Sequence, residues 1–339
     1  MHTVKTHISR RCRPFIASAV LVPALLLALS AYTPAASGSK TATAQLTQTR
    51  SLGRLAAVRP SYGWPLKPFS RQHPVRAYLN DPRNGHGDAK SFHFGIDVSG
   101  ANGTPVYAVE AGQVFITRGR MAVAVKGAAR TFGYWHVMPA VRNHQIVRLH
   151  QLLGYICSMD GGGAHVHLAE RRNDNGEYVN PLRPGGIGPY VDRTPPTVAS
   201  VQFLSHGQEL APDGLSGRVQ VIVDAFDTTP MLVSAPWSNM PVTPARIRWS
   251  IMHGSRSVVA LQTAADFSKT MLPAKLYDSI YAPGTVQNFV GAPGHYRFYL
   301  THGLVASRLP AGVSRLRIEA TDTRGNRVVA SVEISKAAI

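Results

Sequence analysis

The sequence predicts an all-β protein of two mostly antiparallel domains, and three observations lead to this prediction. Between Trp64 and Gly186, glycine-containing breaks separate short runs of about four to eight strand-forming residues. Beyond residue 197, the alternation between apolar and polar residues is clearer, as in strands with one buried face. The chain has 339 residues, enough for two domains that each bury a core.

The first 44 residues have the pattern of a secretory signal peptide and the start of a leader. Lys5, Arg10, Arg11 and Arg13 precede the apolar run FIASAVLVPALLLALSAY, and small residues that include an A-T-A cleavage pattern at 42–44 follow it. The apolar run has 18 residues, slightly fewer than the roughly 20 that span a bilayer comfortably. We therefore expect export to a secreted, periplasmic or cell-wall location. An uncleaved membrane anchor is the alternative.

The remainder of the chain divides at changes in composition. Residues 45–59 are rich in Ser, Thr, Ala and Gln and predict a flexible leader, and residues 60–186 form the first domain. The segment NPLRPGGIGPYVDRTPPT contains five prolines and three glycines, a density that commonly marks a domain boundary. We place the linker at 187–196 and the second domain at 197–339.

Alternation in the second domain predicts an antiparallel sandwich of immunoglobulin-like type. In RVQVIVDA, Val219, Val221, Val223 and Ala225 share one face, and RIRWSIM repeats this pattern from Ile247 to Ile251. Two alternating runs flank the turn DTRGN and predict a terminal hairpin. Residues 264–293 are less regular and predict a long loop with some helix. Asp224, Asp227 and Asp322 admit a calcium site, but acidic residues that cap strand ends are the favoured interpretation.

The charge of the chain favours an anionic partner. Lys and Arg number 36 against 18 Asp and Glu, a formal net charge of +18, and the protein remains strongly basic after loss of the signal segment. A basic surface suits polyanions. No helix-turn-helix, zinc finger or RNA-binding aromatic motif is present, so we expect no nucleic-acid partner. Outside the membrane, anionic wall polymers are the nearer candidate.

Five residues of the first domain have the chemistry of a metal and acid/base site. HFGID supplies His93 and Asp97, YWH supplies His136, and HVH supplies His165 and His167. Residues i and i+2 of a strand leave the same face, so the two histidines of HVH share one space. A straight strand would hold His93 and Asp97 about 13 Å apart, so they meet at one ion only if the chain bends, which glycine permits.

These motifs resemble the lysostaphin-type, LytM-like zinc endopeptidases of bacterial cell walls. The resemblance covers about residues 64–182 and rests on HFGIDVSGANGTPVYAVEAGQV, YWH, LLGYI, HVH and VNPL. It implies a LytM-like β-fold and one zinc ion per chain, held by His93, Asp97 and His167. It also implies that His136 and His165 are the catalytic pair, one acting as or orienting the general base and the other supporting the tetrahedral intermediate.

The function implied by the resemblance is hydrolysis of peptide bonds in peptidoglycan stem peptides or cross-bridges. Leu168 and Ala169 replace the family's usual phenylalanine and glutamate after the histidine pair, which puts the choice of substrate in doubt. A non-catalytic wall-binding module or an activator of another wall hydrolase is the alternative, although all five site positions are filled. Because no acid/base cluster follows Tyr190, we also expect the first domain to cleave small peptides without the second.

Overall fold

The computed structural model describes residues 45–53, 58–85, 89–117, 119, 121–158 and 163–338. The predicted signal segment lies outside these residues. The described chain is nearly all β, and every ladder between named strands is antiparallel, so the predicted fold class is confirmed. None of its helices is long and apolar enough to cross a bilayer.

The strands of the first half are β1 Thr47–Ser51, β2 Val75–Ala77, β3 Pro82–Arg83, β4 Ser91–Phe92, β5 Ile96–Ser99, β6 Pro105–Tyr107, β7 Gly112–Thr117, β8 Ala122–Lys126, β9 Arg130–Trp135, β10 Val137–Pro139, β11 Ile146–Val147, β12 Leu152–Ile156, β13 His165–Arg172 and β14 Tyr178–Val179. Those of the second half are β15 Thr197–Ser205, β16 Gln208–Glu209, β17 Arg218–Thr228, β18 Pro241–Val242, β19 Arg246–His253, β20 Arg256–Asp266, β21 Arg297–Val305, β22 Ser314–Thr321 and β23 Arg327–Ile334. One helical turn, α1, spans Tyr277–Ile280, and two 3-10 turns span Ala274–Leu276 and Ala306–Arg308.

The main sheet of the first domain has the strand order β11-β7-β8-β9-β13-β5-β2, and β10, β12 and β6 form a smaller sheet. Strand β13 lies between β9 and β5, and its first six residues are buried. Val166 and Leu168 belong to the apolar core, whereas His165 and His167 leave the strand on the opposite face. One face of β13 therefore packs into the apolar core, and the other carries the two histidines.

The second domain consists of two sheets around a common core. One sheet has the order β1-β23-β22-β19-β20, and the other has β16-β15-β17-β18 with β21 also paired to β17. The core takes alternate residues from both sheets, including Val223, Phe298, Ile318 and Val328, all of which are fully buried. The two-sheet architecture is observed, and the immunoglobulin-like assignment stays a prediction.

The structure differs from the sequence prediction in the leader. Residues 47–51 are not irregular but form β1, which pairs with β23 of the second domain over five residues. The side chains of β1 are all exposed, so the strand lacks the apolar alternation that sequence reasoning uses. The unpaired edge of β23 supplies the backbone donors and acceptors that hold it. The leader is therefore bound to the last strand of the chain.

The two domains share an interface beside the predicted metal ligand His93. Phe92 is only 1% exposed and packs against Phe267, Tyr277 and Tyr281 of the second domain. Because its ring completes the core of the other domain, Phe92 anchors the segment that carries His93. The expectation that the first domain works by itself did not anticipate this packing.

Hydrogen bonds reinforce the same contact. The Tyr281 hydroxyl donates to the carbonyl oxygen of Asn80 at 2.7 Å, and Thr243 donates from both its backbone N–H and its hydroxyl to Asp81. The backbone N–H of Asn80 donates in turn to the carbonyl of His93, and that of His93 to the carbonyl of Asp81. The second domain therefore helps to fix the position of His93.

Candidate active site

The chain bends sharply between His93 and Asp97. Strand β4 ends at residue 92 and β5 begins at 96, and the bend brings Nε2 of His93 to 3.2 Å from Oδ1 of Asp97. A Cβ atom on Gly95 would lie 2.4 Å from the carbonyl oxygen of Leu168 and 2.9 Å from Nε2 of His167. Glycine is therefore required here by close approach of β13.

Strand register brings the remaining site residues to the bend. His167 on β13 lies directly opposite Asp97 on β5 and, on its other side, opposite Trp135 at the end of β9. His136 follows Trp135 with a φ of 59°, in the left-handed region that residues other than glycine rarely adopt. Such backbone strain is often found at functional sites.

Three donor atoms converge at the centre of this arrangement. Nε2 of His93 lies 2.8 Å from Nδ1 of His167, which is 3.0 Å from Oδ1 of Asp97. All three residues are buried, and together they form a group that can hold a metal ion. Ligands of tetrahedral zinc at about 2.0–2.1 Å stand roughly 3.3 Å apart, so the donor set and its spacing fit zinc.

The residues around the group orient two of the three donors. Nδ1 of His93 donates to the carbonyl oxygen of Tyr78 at 2.8 Å, which leaves the lone pair of Nε2 directed at the centre of the group. Arg76 and Arg83 lie 3.8 and 3.7 Å from Oδ2 of Asp97, so Oδ1 is the oxygen that remains for a metal. Nε2 of His167 is buried with no hydrogen-bond partner among the described residues.

The protonation of the group also suits a cation. Burial, followed by the charge of Arg83, lowers the pKa of His93 to about 3 against the opposing effect of Asp97. Burial alone would raise the pKa of Asp97, but its interactions with His93, His165 and His167 lower that pKa well below its ordinary value. A neutral imidazole and an ionised carboxylate are the forms that bind metal.

His136 and His165 stand beside the three-residue group. Their ring centroids are 4.4 Å apart, and Nε2 of His165 lies 3.6 Å from Oδ1 of Asp97. His165 is 5% exposed, whereas His136 is partly exposed. Burial, opposed by Asp97 and assisted by the charges of Arg76 and His136, lowers the pKa of His165 to about 4, so this ring is neutral near pH 7.

Arg76 is a site residue that sequence reasoning did not find. Its Nη2 lies 2.9 Å from Nδ1 of His165 and 3.4 Å from Nε2. A guanidinium can only donate, so the closer contact assigns the lone pair to Nδ1 and the proton to Nε2, although the Gly163 carbonyl is also 3.2 Å from Nδ1. The guanidinium lies 4.1 Å from the ring centroid of Trp237.

His93, Asp97 and His167 line a cleft of about 780 Å³, and residues of both domains form its lining. Phe94, Trp135 and Ser158 belong to the first domain. The second domain contributes Trp237, Gln287, Asn288, Phe289, Val290 and Tyr296. The residues from the second domain lie in irregular segments, where no periodic pattern indicates function. The sequence therefore offered no signal for them. The second domain forms one wall of the cleft.

Comparison with known families identifies the first domain. Residues 91–181 match the model of Peptidase family M23, and this stretch contains all five site residues, His93, Asp97, His136, His165 and His167. The match confirms the resemblance drawn from the sequence motifs for this domain, and it covers roughly a quarter of the chain. No curated protein matches the chain significantly.

Several solved structures resemble parts of the chain. A zinc-containing peptidase from Vibrio cholerae aligns at 20% identity over 36% of this chain and 39% of its own, with a TM-score of 0.30. A mutant catalytic domain of the prophage-encoded M23 protein EnpA from Enterococcus faecalis aligns at 28% identity over 39% of this chain and 100% of its own, with a TM-score of 0.29. Lysostaphin from Staphylococcus simulans aligns at 14% identity over 77% of this chain and 90% of its own, with a TM-score of 0.27. The chain thus spans well under half the length of the Vibrio cholerae peptidase.

Proposed function

We propose that this protein is a zinc-dependent endopeptidase that cleaves peptide bonds in the stem peptides or cross-bridges of peptidoglycan, outside the cytoplasmic membrane. The donor atoms of His93, Asp97 and His167 converge within 3.2 Å in a cleft that two further histidines line, and this convergence carries the proposal. The match of residues 91–181 to Peptidase family M23 supports it.

The donor set favours zinc over a hard cation. Two imidazole nitrogens and one carboxylate oxygen are a ligand set typical of catalytic zinc, whereas calcium and magnesium prefer oxygen ligands. Zinc bound there supplies Lewis acidity, which polarises a peptide carbonyl and makes a water molecule acidic near neutral pH. The chain has then to bind the peptide, move one proton and stabilise the charge that develops on the carbonyl oxygen.

The two remaining histidines divide these tasks. The proton on Nε2 of neutral His165 is available for a hydrogen bond to the carbonyl oxygen as negative charge develops there. Its Nδ1 lone pair already accepts from Arg76, so His165 has no free acceptor to serve as a base. His136 is partly exposed and lines the cleft. We assign it as the general base that later returns the proton to the leaving amine.

The cleft walls suit a peptide strand. Phe94 and Trp135 of the first domain and Trp237 and Phe289 of the second line the cleft, and Asn288 adds an amide to the lining. Apolar walls with few polar groups are common in ligand clefts. The basic chain adds a general attraction for anionic wall polymers, which become secondary partners in this proposal.

Digestion of purified peptidoglycan tests the proposal. The full chain loaded with zinc should release fragments whose masses and new amino termini identify a cleaved peptide bond. Chelation should abolish release and added zinc restore it, and the His136→Ala protein, with zinc bound, serves as the matched inactive control. If zinc-loaded protein binds the wall but releases no fragment, the alternative of a wall-binding module or hydrolase activator replaces the enzyme.

A further inference from the structure

Three buried carboxylates meet where the linker joins the second domain. Asp192 follows the linker residue Tyr190, Asp227 lies near the end of β17, and Asp322 follows β22. They are 7%, 1% and 6% exposed, and one oxygen of each lies within 4.8 Å of the others. The cluster is separate from the zinc group, with which it shares no residue.

Two of the three carboxylates are held in place by donors from the chain. Asp192 accepts from the backbone N–H and the hydroxyl of Thr194, and Asp322 accepts from the backbone N–H groups of Arg324 and Asn326. The side-chain amide of Asn326 also donates to Asp322 and to the carbonyl of Asp192. These bonds fix both carboxylates side by side.

Asp227 provides the independent sign that a ligand belongs here. Its Oδ1 accepts from the backbone N–H of Thr228, but Oδ2 is fully buried with no hydrogen-bond partner among the described residues. An unsatisfied buried carboxylate oxygen is costly unless a cation or a donor meets it. Among the described residues, no lysine, arginine or histidine forms an ion pair with the three aspartates.

Electrostatics within the cluster favour the binding of a cation. Burial, followed by the charges of Asp192 and Asp322, raises the pKa of Asp227 well above its ordinary value. Arg324 stacks on the ring of Tyr190, 4.9 Å from its centroid, and offsets part of the negative charge. Three carboxylates and one guanidinium leave two negative charges, which one divalent cation would neutralise.

We propose that Asp192, Asp227 and Asp322 bind a calcium ion that fastens the linker to the second domain. An all-oxygen set of several carboxylates is what Ca²⁺ prefers, since it accepts six to eight oxygen ligands in flexible geometry. The three aspartates offer only oxygen atoms, whereas the zinc group includes two imidazole nitrogens. Because Tyr190 contacts Tyr78 of the first domain through their hydroxyls, 2.9 Å apart, the ion would also hold the linker where the domains meet.

Calcium titration of the full zinc-loaded chain, freed of calcium, tests the proposal. Calorimetry should detect one Ca²⁺ per chain, and saturating Ca²⁺ should raise the melting temperature by about 5 °C at roughly 100 times Kd. Mg²⁺ should give a much weaker response. A wild-type protein that binds no Ca²⁺ at millimolar concentration overturns the proposal, and an equal response to Mg²⁺ overturns the assignment to calcium.

Variants separate this site from other causes of stabilisation. Asp227→Asn should abolish the calcium response and, without calcium, should melt at or above the wild-type temperature because repulsion is relieved. The exposed Asp213→Asn serves as the matched control and should keep the response. His93→Ala should keep it too, because the zinc group is a different site. A calcium response that persists in Asp227→Asn, or one that is lost in His93→Ala, contradicts the proposal.

Discussion

The guanidinium of Arg76 connects His165 of the cleft with Trp237 of the second domain. It lies 2.9 Å from Nδ1 of the imidazole and 4.1 Å from the centroid of the indole ring. Arg76 is thus assigned as a positioning residue, since it acts through its contact with His165. Through Arg76, Trp237 of the second domain influences the orientation of His165, a proposed catalytic residue.

Arg76→Gln should lower kcat by at least about tenfold while KM changes little. Zinc should stay bound, because Arg83 still lies 3.7 Å from Oδ2 of Asp97. The substitution removes the cationic donor that holds His165 in one tautomer, and hydrogen bonds to charged groups contribute about 1.5–3 kcal/mol. Steady-state kinetics on a soluble cross-bridge peptide measure the effect, with the exposed Arg71→Gln as the control. A rise in KM alone would assign Arg76 to substrate binding.

His136→Ala and His165→Ala should each retain zinc and lose activity by about 10²-fold or more, the range typical of a positioned acid/base group. Neither residue belongs to the three-donor group, so metal content should stay at that of the wild type. Paired measurements of bound zinc and peptide hydrolysis check this. Near-normal turnover in either variant would remove that histidine from the mechanism.

Phe92→Ala should lower the free energy of unfolding by about 3–5 kcal/mol, as truncation of a buried phenylalanine generally does. The ring fills the second-domain core beside Phe267 and Tyr281, so zinc affinity should also fall as His93 loses its anchor. Urea denaturation and zinc titration measure the two effects. Phe115→Ala, in which the ring is already 36% exposed, is the matched control and should change both much less.

Gly95→Ala should disrupt the zinc group without removing any ligand. The added methyl would lie 2.4 Å from the Leu168 carbonyl, closer than a Cβ can approach backbone, so β13 and His167 must shift. We expect lower thermal stability and weaker zinc binding. Gly214→Ala, in which the nearest atom to the new Cβ is 3.9 Å away, should leave both unchanged. Normal zinc affinity in Gly95→Ala would show that the bend tolerates a side chain.

Phe289→Ala should lower kcat/KM for peptide substrates by about tenfold while zinc content stays normal. The ring belongs to the second-domain wall of the cleft, so its removal costs apolar contact with the substrate. The effect should appear on a small soluble peptide as well as on intact walls. If only intact-wall digestion suffers, the second domain acts as a targeting module.

The sequence indicated which donor residues converge better than it indicated the residues around them. HFGID and HVH are local patterns, and strand periodicity by itself places His165 and His167 on one face. The meeting of His167 with Asp97 depends on the register of β13 against β5, which no local pattern encodes. The family resemblance supplied that step.

Contacts between residues far apart in sequence escaped prediction. Arg76 occupies a short strand with no distinctive motif, and its neighbour Trp237 lies 161 positions later in an irregular segment. Strand β1 has no apolar alternation because the edge of β23 holds it through backbone pairing. The acidic cluster was half anticipated: Asp227 and Asp322 meet, but Asp224 pairs with Arg297 and the third member is Asp192.

Zinc content per chain, measured by mass spectrometry of the metal after dialysis, tests the central claim most directly. The wild-type chain should hold about one zinc ion tightly, and His93→Ala, Asp97→Ala and His167→Ala should each hold little or none, whereas His165→Ala should hold about one. The comparison is matched because His165 and His167 lie on the same face of the same strand. Full zinc occupancy in the three ligand variants, or its loss in His165→Ala, would contradict the assigned metal group.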